Sequence, residues 1–390
     1  MLTEPKDNLS SNTPTPNPAD LSLDGDLHVL ACAAEKRERL RSWLDHTGYS
    51  GVIVSRRENF AWLTAGGDNR VLNNTEFGIG HLVLTPESQY LVAYSMDSRR
   101  LLEEQVHRQG YELVELHWFE GNPRTKALGL AGDNAAADTN FVGASEVNTT
   151  IGHLHFPLHE LEITRLRWLG KQAGEIIEQI SDWVQPGMTE TKIASEMHAA
   201  FIRAGIDLDV LIVGCDERIF KYRHPLPTEK RLERYLLLHP AARRWGLHAN
   251  ISRSIHFGKP SKEVRLSYNA AITIEGRILS ILKPGMKFSQ ILDFQKNWYS
   301  ELGFPEEWKY HFQGGPTAYQ VADPGRCQTD TVVQENQAFD WFITVTGAKV
   351  EELALLTGHG AELLSNTTNW PSIPLRTDAG LIMLPDIYIR

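Results

Sequence analysis

Residues 173–205, AGEIIEQISDWVQPGMTETKIASEMHAAFIRAG, and residues 271–303, AITIEGRILSILKPGMKFSQILDFQKNWYSELG, superpose without a gap at a single offset. Pro186 pairs with Pro284, Gly187 with Gly285, Met188 with Met286 and Gly205 with Gly303, each pair 98 positions apart. Two coincident prolines alone would say little. The shared order of helix, PGM turn, helix and terminal glycine is the pattern of a duplicated supersecondary unit. Pro-Gly supplies the break, and Thr189 with Glu190 opens the second helix of the first copy. Each copy leads into β-rich sequence, LDVLIVG from Leu208 and FDWFITVTG from Phe339. The expectation is an α+β domain with internal pseudo-symmetry and a site between its halves.

Upstream of the repeat the pattern changes. EKRERLRSWLDH, Glu35 to His46, has the apolar spacing of an amphipathic helix, and the run GVIVS from Gly51 reads as a strand. HLVLT, QYLVAY and YELVELHWF continue the strand pattern, with a charged helix expected from Ser98 to Gln109. The predicted organisation is a flexible tail over 1–27, which holds four prolines among polar residues, an α/β domain over 28–155 and the duplicated domain over 156–390. The chain has 390 residues, 42% hydrophobic and 23% charged, and its net charge is −10. That charge argues against nucleic acid as a partner, and no apolar run approaches the roughly 20 residues that span a bilayer. Cys32, Cys215 and Cys327 form neither an even set nor a CxxC pair, so a reducing, cytoplasmic setting is expected.

The duplicated plan resembles the pita-bread fold of the creatinase and aminopeptidase P family, whose members place an N-terminal α/β domain before two such halves. Arg223 to Pro260, RHPLPTEKRLERYLLLHPAARRWGLHANISRSIHFGKP, is similar to three family features in order. These are the active-site histidine, the strand bearing the first two metal-binding aspartates, and the Thr-Arg and Gly-x-Pro motifs. HFQGGPTAY from His311 resembles the family's ligand-histidine loop, and GAKVEEL from Gly347 resembles its closing Gly-x-Arg-x-Glu-Asp segment. The resemblance covers about residues 35 to 365.

Peptidases of this family hold two divalent ions with two Asp, one His and two Glu, because hard carboxylates keep two cations close and turn a shared water into hydroxide. The resemblance implies two aspartates eleven positions apart, with a glycine four before the second. Gly246 sets that register, which places Asn250 at the second position and His239 at the first. His311 falls at the loop histidine, Phe342 at the first glutamate and Glu351 at the second. One carboxylate does not balance two divalent ions, so no metal or other cofactor is expected. A single ion on His239, His311 and Glu351 is the alternative. His153, His155 and His159 read more easily as part of a domain-linking segment than as ligands.

The creatinase branch works without metal, and its proton-shuttling histidine falls on His224 in YRHPLP. An imidazole takes a proton from water and returns it to a leaving nitrogen. Arg223, directly before it, and Arg253 in ISRS suit a carboxylate clamp, or equally an ion-pair device. On an extended segment Lys349 and Glu351 share one face and Glu352 takes the other, so Glu351 is the residue expected to face the site. The glycines of GGPT, Gly314 to Thr317, admit close backbone approach to a ligand or simply make a turn. The resemblance further implies a homodimer in which WLTAGGDNRV from Trp62 reaches the partner's site, making Asn69 and Arg70 candidate contacts; a hairpin turn is the plain alternative. His239, His311 and Phe342 complete the expected small-molecule pocket. The leading expectation is a metal-independent, creatinase-like enzyme acting at a C–N bond of a small polar amino-acid-like substrate, hydrolysis favoured. A silent pita-bread protein that binds a peptide or small ligand is the second, and a metallopeptidase with a rearranged site the third.

Overall fold

The computed structural model describes residues 27–321, 330–377 and 380–390. All of the expected tail except Leu27, and Cys327 as well, lie outside these residues.

The duplication holds at the level of individual hydrogen bonds. Helices Glu160–Trp183 and Lys262–Ile281 each run into a PGM turn and then into helices Glu190–Arg203 and Phe288–Glu301. Gly187 N donates to Leu232 O (2.7 Å) and Leu232 N to Met188 O (2.9 Å); Gly285 N donates to Val333 O (2.9 Å) and Val333 N to Met286 O (2.8 Å). Both turn glycines have positive φ, 90° and 87°, a region disfavoured for any residue with a Cβ.

The N-terminal domain is a mixed sheet of β1 (Gly51–Arg56), β2 (Phe77–Leu84), β3 (Gln89–Tyr94), β4 (Glu112–Leu116), β5 (Ala135–Ala137) and β6 (Ala144–Glu146), in the order β4-β3-β2-β1-β5-β6. In the first half of the second domain, β7 (Asp207–Cys215), β8 (Tyr235–Arg244), β9 (Leu247–Asn250) and β10 (Arg253–His256) pair antiparallel, and the strand Tyr388–Ile389 joins their sheet parallel to β10. The second half supplies β11 (Gly315–Thr317), β12 (Gln337–Asp340), the hairpin β13 (Ile343–Val345) with β14 (Ala348–Val350), and β15 (Leu353–Thr357) with β16 (Gly360–Leu363). Its sheet order is β11-β12-β15-β16. This is the pita-bread architecture that the repeat and the resemblance imply.

The domains share one apolar core, in which Leu40, Phe60 and Trp62 join Leu166, Phe201, Leu236 and Tyr319. A buried ion pair crosses the same boundary, Lys36 Nζ to Glu162 at 2.7 Å, with the Tyr319 hydroxyl 3.0 Å from the ammonium. Local expectations shift in four places. The first helix starts at Leu27 rather than Glu35, because Val29, Cys32 and Ala33 bury a further turn. The segment from Ser98 is α-helical only to Arg100, and the Val106 N to Leu101 O bond widens the next turn into a π-helix that ends at Gln105. Trp62 lies in a buried helix, Arg57–Leu63, not in a hairpin. FDWFITVTG breaks at Trp341-Phe342 between β12 and β13. Among the described residues, no helix is long and apolar enough to cross a membrane.

Candidate active site

Between the halves lies a cavity of about 400 Å³, lined by His224, His239, Asn250, His311, Phe342 and Glu351 together with Arg223 and Lys349. The residues that bring these side chains together are far apart in sequence. His239 points from β8 and Asn250 from the end of β9. His224 follows the short helix Glu217–Lys221, in a loop that rests on β7 because Gly214 has no side chain: a Cβ there would stand 2.4 Å from Pro225. His311 follows a 3-10 turn, and the β13–β14 hairpin pairs Thr344 with Lys349, just before Glu351.

His224 and His311 meet Nε2 to Nε2 at 3.0 Å. The Nδ1 of His311 faces the Phe312 carbonyl, which only accepts, so Nδ1 carries the hydrogen of the neutral ring and its Nε2 accepts from His224 Nε2. The remaining lone pair of His224 is on Nδ1. Burial, and then the charge of Lys349, lower both pKa values, that of His311 to about 3. His239 is fully buried, with Nδ1 3.2 Å from the Ile251 carbonyl and 3.3 Å from Glu351; desolvation and Lys349 hold it far below its usual range.

Beneath the histidines is a set of buried acids. Glu351 is buried at the floor of the cavity, and desolvation raises its pKa to about 7 against the pull of Lys349, whose Nζ lies 3.1 Å away. Asp340 accepts from Asn250 Nδ2 at 2.8 Å, and burial with the Glu351 charge raises it strongly. Glu352 turns the other way, as the alternation predicts, and binds Arg253. Lys349 also lies over the Phe342 ring, 5.2 Å from its centroid.

Three sequence-derived candidates are elsewhere. Arg253 is 2% exposed and clamped by Glu352, Ser252 O and Ser365 O, so it ties β10 to the second half instead of holding substrate. Asn69 is fully buried, its amide nitrogen donating to Ser55 O (3.1 Å) and Gly80 O (2.9 Å), which places it inside its own domain and away from the surface a partner subunit would reach. Arg70 pairs with Asp207 at 2.6 Å and Asp68 at 3.4 Å, bridging the two domains of its own chain. Arg223 lines the cavity, but its guanidinium is held by Glu307 and Thr346. His155 is buried against Trp62 and Tyr319, with Nε2 3.0 Å from Asn59, and His159 caps the helix Glu160–Trp183; both belong to the domain junction. Sequence reasoning does not single out Asp340 as a site residue and gives Lys349 no part in the pocket. Both leave a signal in the chain: a lone acid in the apolar run FDWF, and a lysine at the arginine position of the Gly-x-Arg-x-Glu-Asp segment.

These donors do not fit a dinuclear metal centre. Among the described residues, no three of His, Cys, Asp and Glu converge as ligands. Of the single-ion set His239, His311 and Glu351, His311 aims Nε2 at His224, and the Lys349 ammonium stands beside the Glu351 carboxylate.

The fold has close counterparts. An Xaa-Pro dipeptidase from Bacillus anthracis aligns with a TM-score of 0.72 at 18% identity, covering 92% of this chain and all of that one. Dipeptidase PepE from Mycobacterium ulcerans aligns with a TM-score of 0.74 at 15% identity over 92% of this chain and 98% of that one. An uncharacterized peptidase of Staphylococcus aureus is 23% identical over 232 residues, 57% of this chain. The match spans 66% of that relative's length, just under two thirds. The family model for metallopeptidase family M24 matches residues 164–375, more than half of the chain, beginning in the first repeat helix. The chain therefore belongs to metallopeptidase family M24.

Proposed function

We propose that this protein hydrolyses a C–N bond in a small, polar, amino-acid-like substrate without a bound metal ion. The observation that carries the reading is the shortage of anionic ligands. Where the resemblance places metal ligands, the pocket holds His239, Asn250, His311 and Phe342 beside Glu351, whose carboxylate pairs with the Lys349 ammonium at 3.1 Å. Glu351 and the Asp340 that Asn250 hydrogen-bonds are its two carboxylates, too few to balance two divalent ions.

His224 is the base: its Nδ1 takes a proton from water as the water oxygen bonds to the substrate carbon. Burial and Lys349 favour the neutral imidazole that this step needs. Lys349 offsets negative charge that develops on the substrate. Glu351, with a pKa of about 7, holds a proton near neutrality and gives it to the nitrogen as the C–N bond breaks. The proton on His224 then returns to Glu351 through solvent, which closes the cycle. The metallopeptidase reading, which the family name favours, calls for anionic ligands at the positions of Asn250 and Phe342, and neither side chain carries charge.

Metal analysis of the purified protein, combined with a screen of guanidino and N-alkyl amino acids for released amine, tests the proposal. Turnover should survive dialysis against a strong chelator. Stoichiometric zinc, manganese or cobalt in the untreated protein, with activity lost on its removal, would overturn it.

A further inference from the structure

The sheet face that carries His239 and Asn250 continues beyond them. β8 and β9 pair with Ala241 opposite Asn250 and Arg243 opposite His248. Residues two apart on a strand, and residues directly opposite across an antiparallel pair, share a face, so His239, Asn250, Arg243 and His248 all project from one floor. Over the Arg243 end lies a second cavity of about 460 Å³, walled by Arg56 and Arg57 of the N-terminal domain and by Asp209, Arg243 and His248 of the other. Val321 borders both cavities, which lie side by side along this face.

Arg243 is only 4% exposed, yet among the described residues its guanidinium makes no hydrogen bond. Its nearest carboxylates are Asp68 at 3.5 Å and Asp209 at 3.8 Å. Both already have closer partners: Asp68 accepts from Arg57 at 3.0 and 3.2 Å, and Asp209 contacts His248 at 2.9 Å. Arg56 is likewise engaged by Glu58 and Glu76. Of the cavity's guanidinium groups, Arg243 is the one held only by these long ion pairs and by no hydrogen bond among the described residues. Its donors face the cavity, and its planar fork matches a carboxylate.

We propose that the interdomain cavity is a carboxylate-binding subsite anchored by Arg243. Arg243 lies four strand positions beyond His239, about 13 Å at the rise of an extended strand. A ligand that spans both ends carries its carboxylate three or four residue lengths from the bond at His224. This rests on the proposed C–N bond chemistry only for the ligand's reacting end. Single amino-acid derivatives occupy only the His224 end, and elongated acids reach Arg243 as well.

The test uses the full chain and a degenerate tetrapeptide pool, half with free C-terminal carboxylates and half amidated, with retained peptides identified by mass spectrometry. The wild type should retain acids about tenfold to a hundredfold better than amides, the range of a hydrogen-bonded charge contact. Arg243→Gln should erase that preference, Arg243→Lys should keep part of it, and His224→Asn should leave it whole. Equal retention of acids and amides by the wild type, no retention, or an unchanged preference in Arg243→Gln would overturn the subsite. If Arg243→Gln does not fold, the wild-type comparison still decides. Acid preference without any released amine would instead sink the hydrolase reading and leave the subsite standing.

Discussion

The His224–His311 contact sets the first prediction. Because Nε2 of His224 is engaged by His311, the working nitrogen is Nδ1, and removing the imidazole removes the base while disturbing little packing at the cleft's rim. His224→Asn should lower turnover about a hundredfold to ten-thousandfold with the melting temperature nearly unchanged. Full activity in this variant would refute the assignment. The pH profile has two limbs with definite signs. His224 acts as its neutral form, and its pKa is lowered, so activity rises with pH through a midpoint below 6.5. Glu351 acts protonated, so activity falls through about pH 7. A profile still rising at pH 8 would remove Glu351 as the acid.

At the scale of the element, the PGM turns and the Gly314 loop solve different problems. Gly187 and Gly285 have positive φ but open space where a methyl group would stand, so alanine meets only the backbone penalty. Gly187→Ala and Gly285→Ala should each cost about 1 kcal/mol and add in the double variant, since the two turns lie in separate halves. Gly314 has φ 82° and, in addition, a Cβ there would lie 2.2 Å from the Asp340 carbonyl. Gly314→Ala should therefore cost more than both turn variants together, and should disturb Asp340 and Phe342 with it. Urea denaturation of the four proteins checks the order; equal losses at Gly314 and Gly187 would contradict the packing argument.

For the whole molecule, the shared core makes the two domains one cooperative unit. Lys36 and Glu162 are 2% and 1% exposed at their junction. Lys36→Met leaves Glu162 charged and without its cation, a loss of about 3–5 kcal/mol, whereas replacing both partners by apolar residues should recover most of it. Both variants and the wild type should unfold in one transition by fluorescence and circular dichroism. Two separated transitions would show that the domains are held less tightly than the continuous packing of Leu40, Trp62, Leu166 and Tyr319 implies.

Much of the architecture was legible because it repeats locally: the two PGM units carry their own turn chemistry, and Gly246 kept the register that brings His239 and Asn250 onto one sheet face. The alternation that aims Glu351 inward and Glu352 outward is likewise a strand property, visible in three consecutive residues. What the linear order withheld was partnership. Arg253 read equally as a carboxylate clamp or an ion-pair device until folding set Glu352 against it, and Asn69 and Arg70 read as candidate contacts to a partner's site until two carbonyls and Asp207 engaged them. Arg243 is the converse, an arginine unremarkable in RRWG that tertiary packing buries in a cavity while its neighbours take its acids. Periodicity and turn chemistry act over a few residues and so are written in the chain; which charge meets which is decided by contacts between segments a hundred residues apart, and only the closed fold determines them.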